Sequence, residues 1–398
     1  MQSHLTLQDI KFIKTQKSPV LENKFVYIFD SKYNLPKSSI YILLKYPDLF
    51  SNLLTYSKYF KLKEEVFYMR HDTLLTDCMV QISVNMTENG VEIHIHGIST
   101  RMKDICKLFI NFLFEDTGNE REELVIDQIK KNLSQDKFAQ SYKRLFQGLK
   151  LMFIEGYRMS EDMLENLVFD KELTVKKCNH NLCIVGNISL DDAREVQNIL
   201  ISNIENIEEI SNNSSSYKLE EDSLTVKTFD IKNNACGVYF YTNTFDNLYK
   251  KAISSFIVNT VQEMFFDQLR TNEEFGYVVC ADTYRILNKE FIYFVVQSEK
   301  DVITIKERIL KFIEFAKEYI SNMTEEEFND RKEALIDEYN ETHKNINSYS
   351  YYLYSKFIYE IDGLKYKENM INFIDQMTLK DVQNNNVFGE MYVIETLR

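Results

Sequence analysis

Two residues seven positions apart, Arg270 and Tyr277 in the segment LRTNEEFGY, have side chains suited to a carbonyl oxygen or an oxyanion. A phenol that keeps its proton donates one hydrogen bond, and a guanidinium stays charged and offers five donors in a rigid fork. The same residues admit a purely structural role. In that reading Arg270 pairs with Glu273 or Glu274, and Tyr277 simply opens a strand.

The elements that must position the pair are legible on either side of it. An apolar helix from about residue 246 to 269 leads into a short polar loop, and a hairpin across Asn288-Lys289 follows. A helix over 301–321 comes next, then a charged helix opening at Thr324 with Glu327 three residues on, the spacing of a capping box. The strand CGVYFYTNT precedes the set. The same order occurs earlier in the chain. After a turn at Leu35-Pro36 come the strand SSIYILLKY, a helix over about 48–68, and the hairpin VQISVNMT/VEIHIHGIS, whose Asn89-Gly90 is a tight-turn signal. A helix over 101–115 then sets Met102, Ile105, Leu108, Phe109, Phe112 and Leu113 on one stripe. A charged helical region from about Glu120 and the strand LCIVGNI follow, and the next helix is capped by Ser189 with Asp192 at the capping-box position.

Both copies read as one α+β unit, a mostly antiparallel sheet backed by helices. The expected division is an N-terminal tail over 1–24, a first domain over 25–210, a polar linker over 211–217 and a second domain over 218–398. An ungapped slide of 199 residues lays Asn89 on Asn288, His71 on Arg270 and Cys78 on Tyr277. The first copy therefore lacks the donor pair, and the candidate site belongs to the second.

LRTNEEFGY, followed by FVVQSEK and NMTEEEF, resembles the C-terminal half of the insulysins, the insulin-degrading enzymes of the pitrilysin class of inverted-motif zinc peptidases. NLPKSSIYI, CIVGNIS, IKNNACGVYFY and MTLKDV fall in that family's order. The resemblance implies that Arg270 and Tyr277 reach into an active site from the half opposite the zinc and hold substrate and reaction intermediate. It also implies Zn2+ on a separate zinc-bearing N-terminal half, and peptide substrates. The alternative it leaves is a catalytically inactive homologue acting as a peptide-binding or assembly subunit.

The family's zinc motif, HxxEH, is absent. The histidines are His4, His71, His94, His96, His180 and His343, and none has that spacing. His94 and His96 share a strand face, for which a solvated sheet surface is the expectation, so no metal is assigned to this chain. No GxSxG and no glycine-rich phosphate loop occurs. The Tyr-rich run YSYYLYSKFIYEI reads as an amphipathic core helix.

Composition narrows the partners. The 398 residues carry a formal net charge of −14 with no long basic run, which argues against nucleic acid. An acidic enclosed surface favours cationic peptides, while an acidic exterior serves solubility. Six cysteines without a CxxC point to reduced thiols and a cytoplasmic setting. No apolar run reaches the roughly 18 residues of a membrane span, and the N-terminus lacks a signal-peptide core.

Overall fold

The computed structural model describes residues 10, 12–14, 16–116, 118, 120–169, 173–207, 219–230, 232–359 and 361–397. The chain opens with β1 (Val20–Glu22), β2 (Phe25–Phe29), β3 (Lys37–Lys45), α1 (Leu53–Asp77), β4 (Val80–Thr87) and β5 (Gly90–Ile98). Helices α2 (Met102–Phe114), α3 (Glu122–Lys137), α4 (Ser141–Phe153) and α5 (Ser160–Glu165) follow. Then come β6 (Lys177–Gly186), α6 (Leu190–Asn203), β7 (Glu205–Asn206), β8 (Ser223–Lys227), β9 (Asn234–Thr244) and α7 (Leu248–Phe266). The hairpin β10 (Val278–Ile286) and β11 (Lys289–Ser298) leads to α8 (Val302–Ser321), α9 (Glu325–Asn340), α10 (Ile346–Phe357), α11 (Gly363–Gln376), α12 (Leu379–Gln383) and β12 (Glu390–Leu397).

Local chemistry sets several of these ends. Ser189 accepts from the Asp192 amide at 3.0 Å to open α6, and Thr324 with Glu327 forms a reciprocal capping box on α9. Each satisfies amides that a helix start leaves without partners. Among the described residues, no helix is long and apolar enough to cross a membrane. All six cysteines are free thiols.

The chain forms two compact units, one of residues 1–132, 166–211 and 343–363, the other of 133–165, 212–342 and 364–398. In the first, the strand order is β1-β2-β6-β3-β5-β4 with β7 beside β6; β6 runs parallel to β2 and β7, and the other pairs are antiparallel. One sheet face buries Ile42, Ile93 and Ile95 with Phe60 and Phe67 of α1 and Phe109 of α2. The other face buries Tyr41, Leu43, Cys183 and Val185 under Leu353, Tyr354 and Phe357 of α10.

In the second unit the order is β10-β11-β9-β12-β8, with only β12 and β8 parallel. Phe265 of α7 packs on Phe294 and on Phe312 of α8, at 5.3 and 4.9 Å between ring centroids. On the opposite face, Phe153 of α4 meets Phe291 and Tyr392 at 4.9 and 5.0 Å. Gly148 lets α4 lie close, because a Cβ there would stand 2.8 Å from Val226 and 2.9 Å from Ile394. The order β10-β11-β9-β12-β8 repeats β4-β5-β3-β6-β2 strand for strand, so the duplicated, mostly antiparallel α+β architecture is present.

Three features differ from the sequence reading. The units are not contiguous in sequence, since each takes a helical segment from the far side of the expected linker: 133–165 covers the second sheet and 343–363 the first. The linker itself, 211–217, lies outside the described residues. The expected tail is shorter, because β1 pairs with β2 from Val20. Finally, the His94 face is not simply solvated. His96, His94, Tyr41 and Tyr354 stack in a row at successive centroid distances of 4.7, 4.1 and 4.4 Å.

That stack makes stability depend on pH. Burial, and secondarily the neighbouring His96, pushes the His94 imidazole down to about 3, from 6.5. A base whose folded value lies below its unfolded value favours the folded state fully above about pH 6.5, and this contribution declines as pH falls toward 3. Between pH 6.5 and 5 the unfolding free energy should therefore drop by roughly 1 kcal/mol per unit for this one proton. His94→Gln should flatten the urea-denaturation profile by that slope; an identical pH dependence in the variant refutes the assignment.

Candidate functional site

Helix α7 starts where the Asn247 side chain accepts from the Lys250 amide at 3.1 Å, and it buries Phe256, Ile257, Val261 and Phe265. After Phe266 the regular winding stops. Residues Asp267–Asn272 form a π-wound turn, followed by amide bonds from Glu273 to the Gln268 carbonyl (3.1 Å) and from Phe275 to that of Leu269 (2.8 Å). Such wide turns are rare and concentrate at functional positions. Arg270 lies on this turn, and the loop Glu273–Tyr277 connects it to β10.

The loop is pinned at four places. Arg308 of α8 grips the Glu273 carboxylate with Nε at 2.8 Å and a terminal nitrogen at 2.5 Å, which holds that carboxyl below its ordinary range. Ser298 donates to the Phe275 carbonyl at 2.6 Å, and the Lys300 ammonium stands 5.2 Å from the Phe275 ring centre. The Tyr277 amide donates to the Gln297 carbonyl at 2.8 Å. Gly276 fills the remaining space, since a Cβ there would lie 2.8 Å from both the Gln297 carbonyl oxygen and a Val296 methyl.

The two candidate residues come together on this frame. Arg270 donates to the Gly276 carbonyl at 3.0 Å, and its guanidinium carbon lies 5.2 Å from the Tyr277 ring centre, within cation–π range. The Tyr277 side chain is exposed, at 71%. Of the two pairings that a structural role offered Arg270, with Glu273 or Glu274, the first does not form, because Arg308 takes the Glu273 carboxylate. One guanidinium N–H is spent on the loop carbonyl. The phenol and the remaining guanidinium donors can address a peptide carbonyl or an oxyanion.

Sequence reasoning did not single out Gly276, Gln297, Ser298 or Arg308. The trace of Gly276, Gln297 and Ser298 was the co-occurrence of LRTNEEFGY with FVVQSEK, since the second segment clamps the first; Arg308 lies in neither and left no such trace. Gly276→Ala should cost about 1–3 kcal/mol by overpacking. An unchanged urea midpoint would show that the loop is not held there.

Among the described residues, the first unit has no counterpart of the site. EEVFY (64–68) aligns with QEMFF (262–266) at an offset of 198, and Phe67 packs on Phe112 as Phe265 packs on Phe312. The two hairpin turns, Glu88-Asn89 and Leu287-Asn288, are offset by 199. One extra residue therefore sits between helix and strand in the second unit, as a π-wound turn accommodates. Helix α1 instead runs regularly to Asp77, three residues before β4. In helix register, Arg270 stands opposite Asp72 rather than His71.

Three of the described histidines are engaged elsewhere. His94 Nε2 is 2.6 Å from the Ser39 hydroxyl, His180 Nδ1 is 3.1 Å from Asn206, and His71 lies against Phe67. Among the described residues, no three His, Cys, Asp or Glu side chains group as metal ligands.

The chain is similar to known proteins in both sequence and fold. Residues 256–353, which contain the site, match the family model of the PQQ synthase PqqF-like C-terminal lobe, domain 4. The A-factor-processing enzyme of Saccharomyces cerevisiae is 24% identical over 86% of this chain and 36% of its own length. The insulin-degrading enzyme of Drosophila melanogaster is 22% identical over 77% of this chain and 33% of its own. The crystal structure of pitrilysin superposes with a TM-score of 0.78 at 16% identity, covering 97% of this chain and 44% of that one. A peptidase M16 inactive domain from Pseudomonas fluorescens superposes at 0.65 with 11% identity, covering 94% and 95%. Sequence and fold together liken the chain to the pitrilysin-type peptidases. The likeness is to their C-terminal half, and the chain spans about a third of the length of the curated relatives it matches.

Proposed function

We propose that this chain is the non-zinc half of an insulysin-like metalloendopeptidase, forming one wall of a peptide-degrading chamber. Arg270 and Tyr277 hydrogen-bond the carbonyl oxygen of the bond being cut and stabilise the charge it acquires. The supporting observation is the pinned loop, which holds the Arg270 guanidinium carbon 5.2 Å from the ring centre of the exposed Tyr277, while Arg308 takes the Glu273 carboxylate. Donors fixed in advance need no reorganisation when charge develops, which is the source of their catalytic value. The hydrolytic metal chemistry is supplied by a zinc-bearing N-terminal partner, in an intracellular setting.

The test is reconstitution. The chain is purified alone and mixed with the zinc-bearing half of a relative, and cleavage of a quenched fluorescent peptide is followed with and without chelator. Chelator-sensitive cleavage in the mixture only supports the proposal. Cleavage by the chain alone, or none in the mixture, overturns it. A second reading, an inactive homologue that binds peptides or supports assembly, is favoured by the likeness to the P. fluorescens inactive domain. It calls for peptide binding without cleavage in either sample.

A further inference from the structure

Glu274 goes against two local preferences at once. It follows the π-wound end of α7, between Glu273, whose backbone is still helical, and Phe275, whose amide returns to the Leu269 carbonyl. Its φ of 46° lies in the left-handed region. Helices that end this way usually place glycine at that position, because a Cβ is strained there. A carboxylate is also unfavourable beside the carbonyls of a helix C-terminus, where the dipole favours cations.

Nothing around it offsets these costs. The preceding carboxylate, Glu273, is matched by Arg308. The nearby cations are committed elsewhere, Arg270 to the Gly276 carbonyl and the Lys300 ammonium to the face of Phe275. Among the described residues, Glu274 makes no hydrogen bond or ion pair, and its side chain is exposed. A residue that defies local preference without a compensating contact in the fold marks a functional position. Its place in the chain fits that reading, four residues after Arg270 and three before Tyr277. Since an extended chain covers at most about 3.6 Å per residue, the Glu274 and Tyr277 Cα atoms lie within about 11 Å of each other. A glutamate and a lysine or arginine side chain together span that gap.

We propose that Glu274 selects the substrate: it pairs with a lysine or arginine side chain within two residues of the carbonyl held by Arg270 and Tyr277, so that the site favours cationic peptides. The left-handed backbone lets two adjacent carboxylates diverge, one to Arg308 and one to solvent. The loop that carries this charge is the one clamped by Ser298 and Gln297, so the fixed donors and the carboxylate share one frame. The contribution is that of a single exposed ion pair, and salt screens it. This deepens the function proposed above and rests on it. It is tested by binding rather than turnover, so that the two can fail separately.

The probes are two fluorescein-labelled nonapeptides of alternating alanine and threonine, identical except for lysine or glutamine in the middle, read by anisotropy on the full chain. At low salt the lysine peptide should bind roughly fivefold more tightly, the scale of one solvent-exposed ion pair. The ratio should fall toward one in about 0.5 M salt. Glu274→Gln should bring it within about twofold of one, and Glu274→Lys should invert it. Glu274→Gly should lose the preference while raising the urea midpoint, because glycine takes the left-handed backbone without strain. A glycine variant less stable than wild type gives Glu274 a structural role and overturns the inference. So does equal affinity of the two peptides for the wild type, a lysine preference retained by Glu274→Gln, or no binding of either peptide. Failed reconstitution counts against the peptidase reading instead, since these ratios are measured without turnover.

Discussion

Tyr277→Phe should lower kcat of the reconstituted peptidase by roughly a hundredfold to a thousandfold, equivalent to about 2.7–4 kcal/mol, the loss typical of one preorganised oxyanion donor. The substitution removes a hydroxyl from a side chain that is 71% exposed, so folding should be unaffected. The amide that ties this residue to Gln297 and the ring that lies against Arg270 are both retained. KM should change little, because the bond forms only as charge develops on the substrate oxygen. Arg270→Lys offers an internal check, since an ammonium keeps the charge but loses the fork. Steady-state kinetics of the mixture decide the matter. Wild-type kcat in the phenylalanine variant would remove Tyr277 from the reaction.

Arg144→Met should destabilise the chain by about 3–5 kcal/mol, the usual penalty for leaving one partner of a buried ion pair alone. Arg144 on α4 is fully buried. It donates to the Lys227 carbonyl at 3.1 Å and to Gln147 at 2.9 Å, and it forms an ion pair with Glu161, whose side chain is only 14% exposed. Methionine fills much of the volume but leaves the carboxylate and the carbonyl without their donors. Replacing Glu161 by leucine in the same chain should recover part of the loss, because the unpaired charge is then gone. Urea unfolding of the single and double variants measures both effects. A double variant no more stable than the single would show that the carbonyl contact, not the ion pair, dominates.

The duplicated order of strands and helices was readable in the sequence because turn and cap residues mark it locally: Asn89-Gly90, Ser189 and Thr324 act within a few positions of themselves. The Tyr-rich run was also legible as a core helix, and it is the α10 that covers Tyr41 and Leu43. Which sheet it covers was not, since nothing in residues 343–363 names a partner three hundred positions away. The same limit hid the clamp on the candidate loop. Arg270 and Tyr277 stand out by type, whereas Ser298 and Arg308 matter only because β11 and α8 bring them beneath Phe275 and Glu273. The slide of 199 residues placed the strands correctly and the helix one residue out, because a π turn leaves no residue signature of its own.

The borrowed helices bear on how the chain is made. During synthesis the first sheet leaves the ribosome with Tyr41, Leu43, Cys183 and Val185 uncovered, and the helix that buries them does not exist until residues 346–357 have been added. The N-terminal sheet must therefore wait, partly open, while most of the second is translated. Chaperone dependence should be concentrated in that interval, and transcripts cut short between the two sheets should yield insoluble product rather than a free-standing domain.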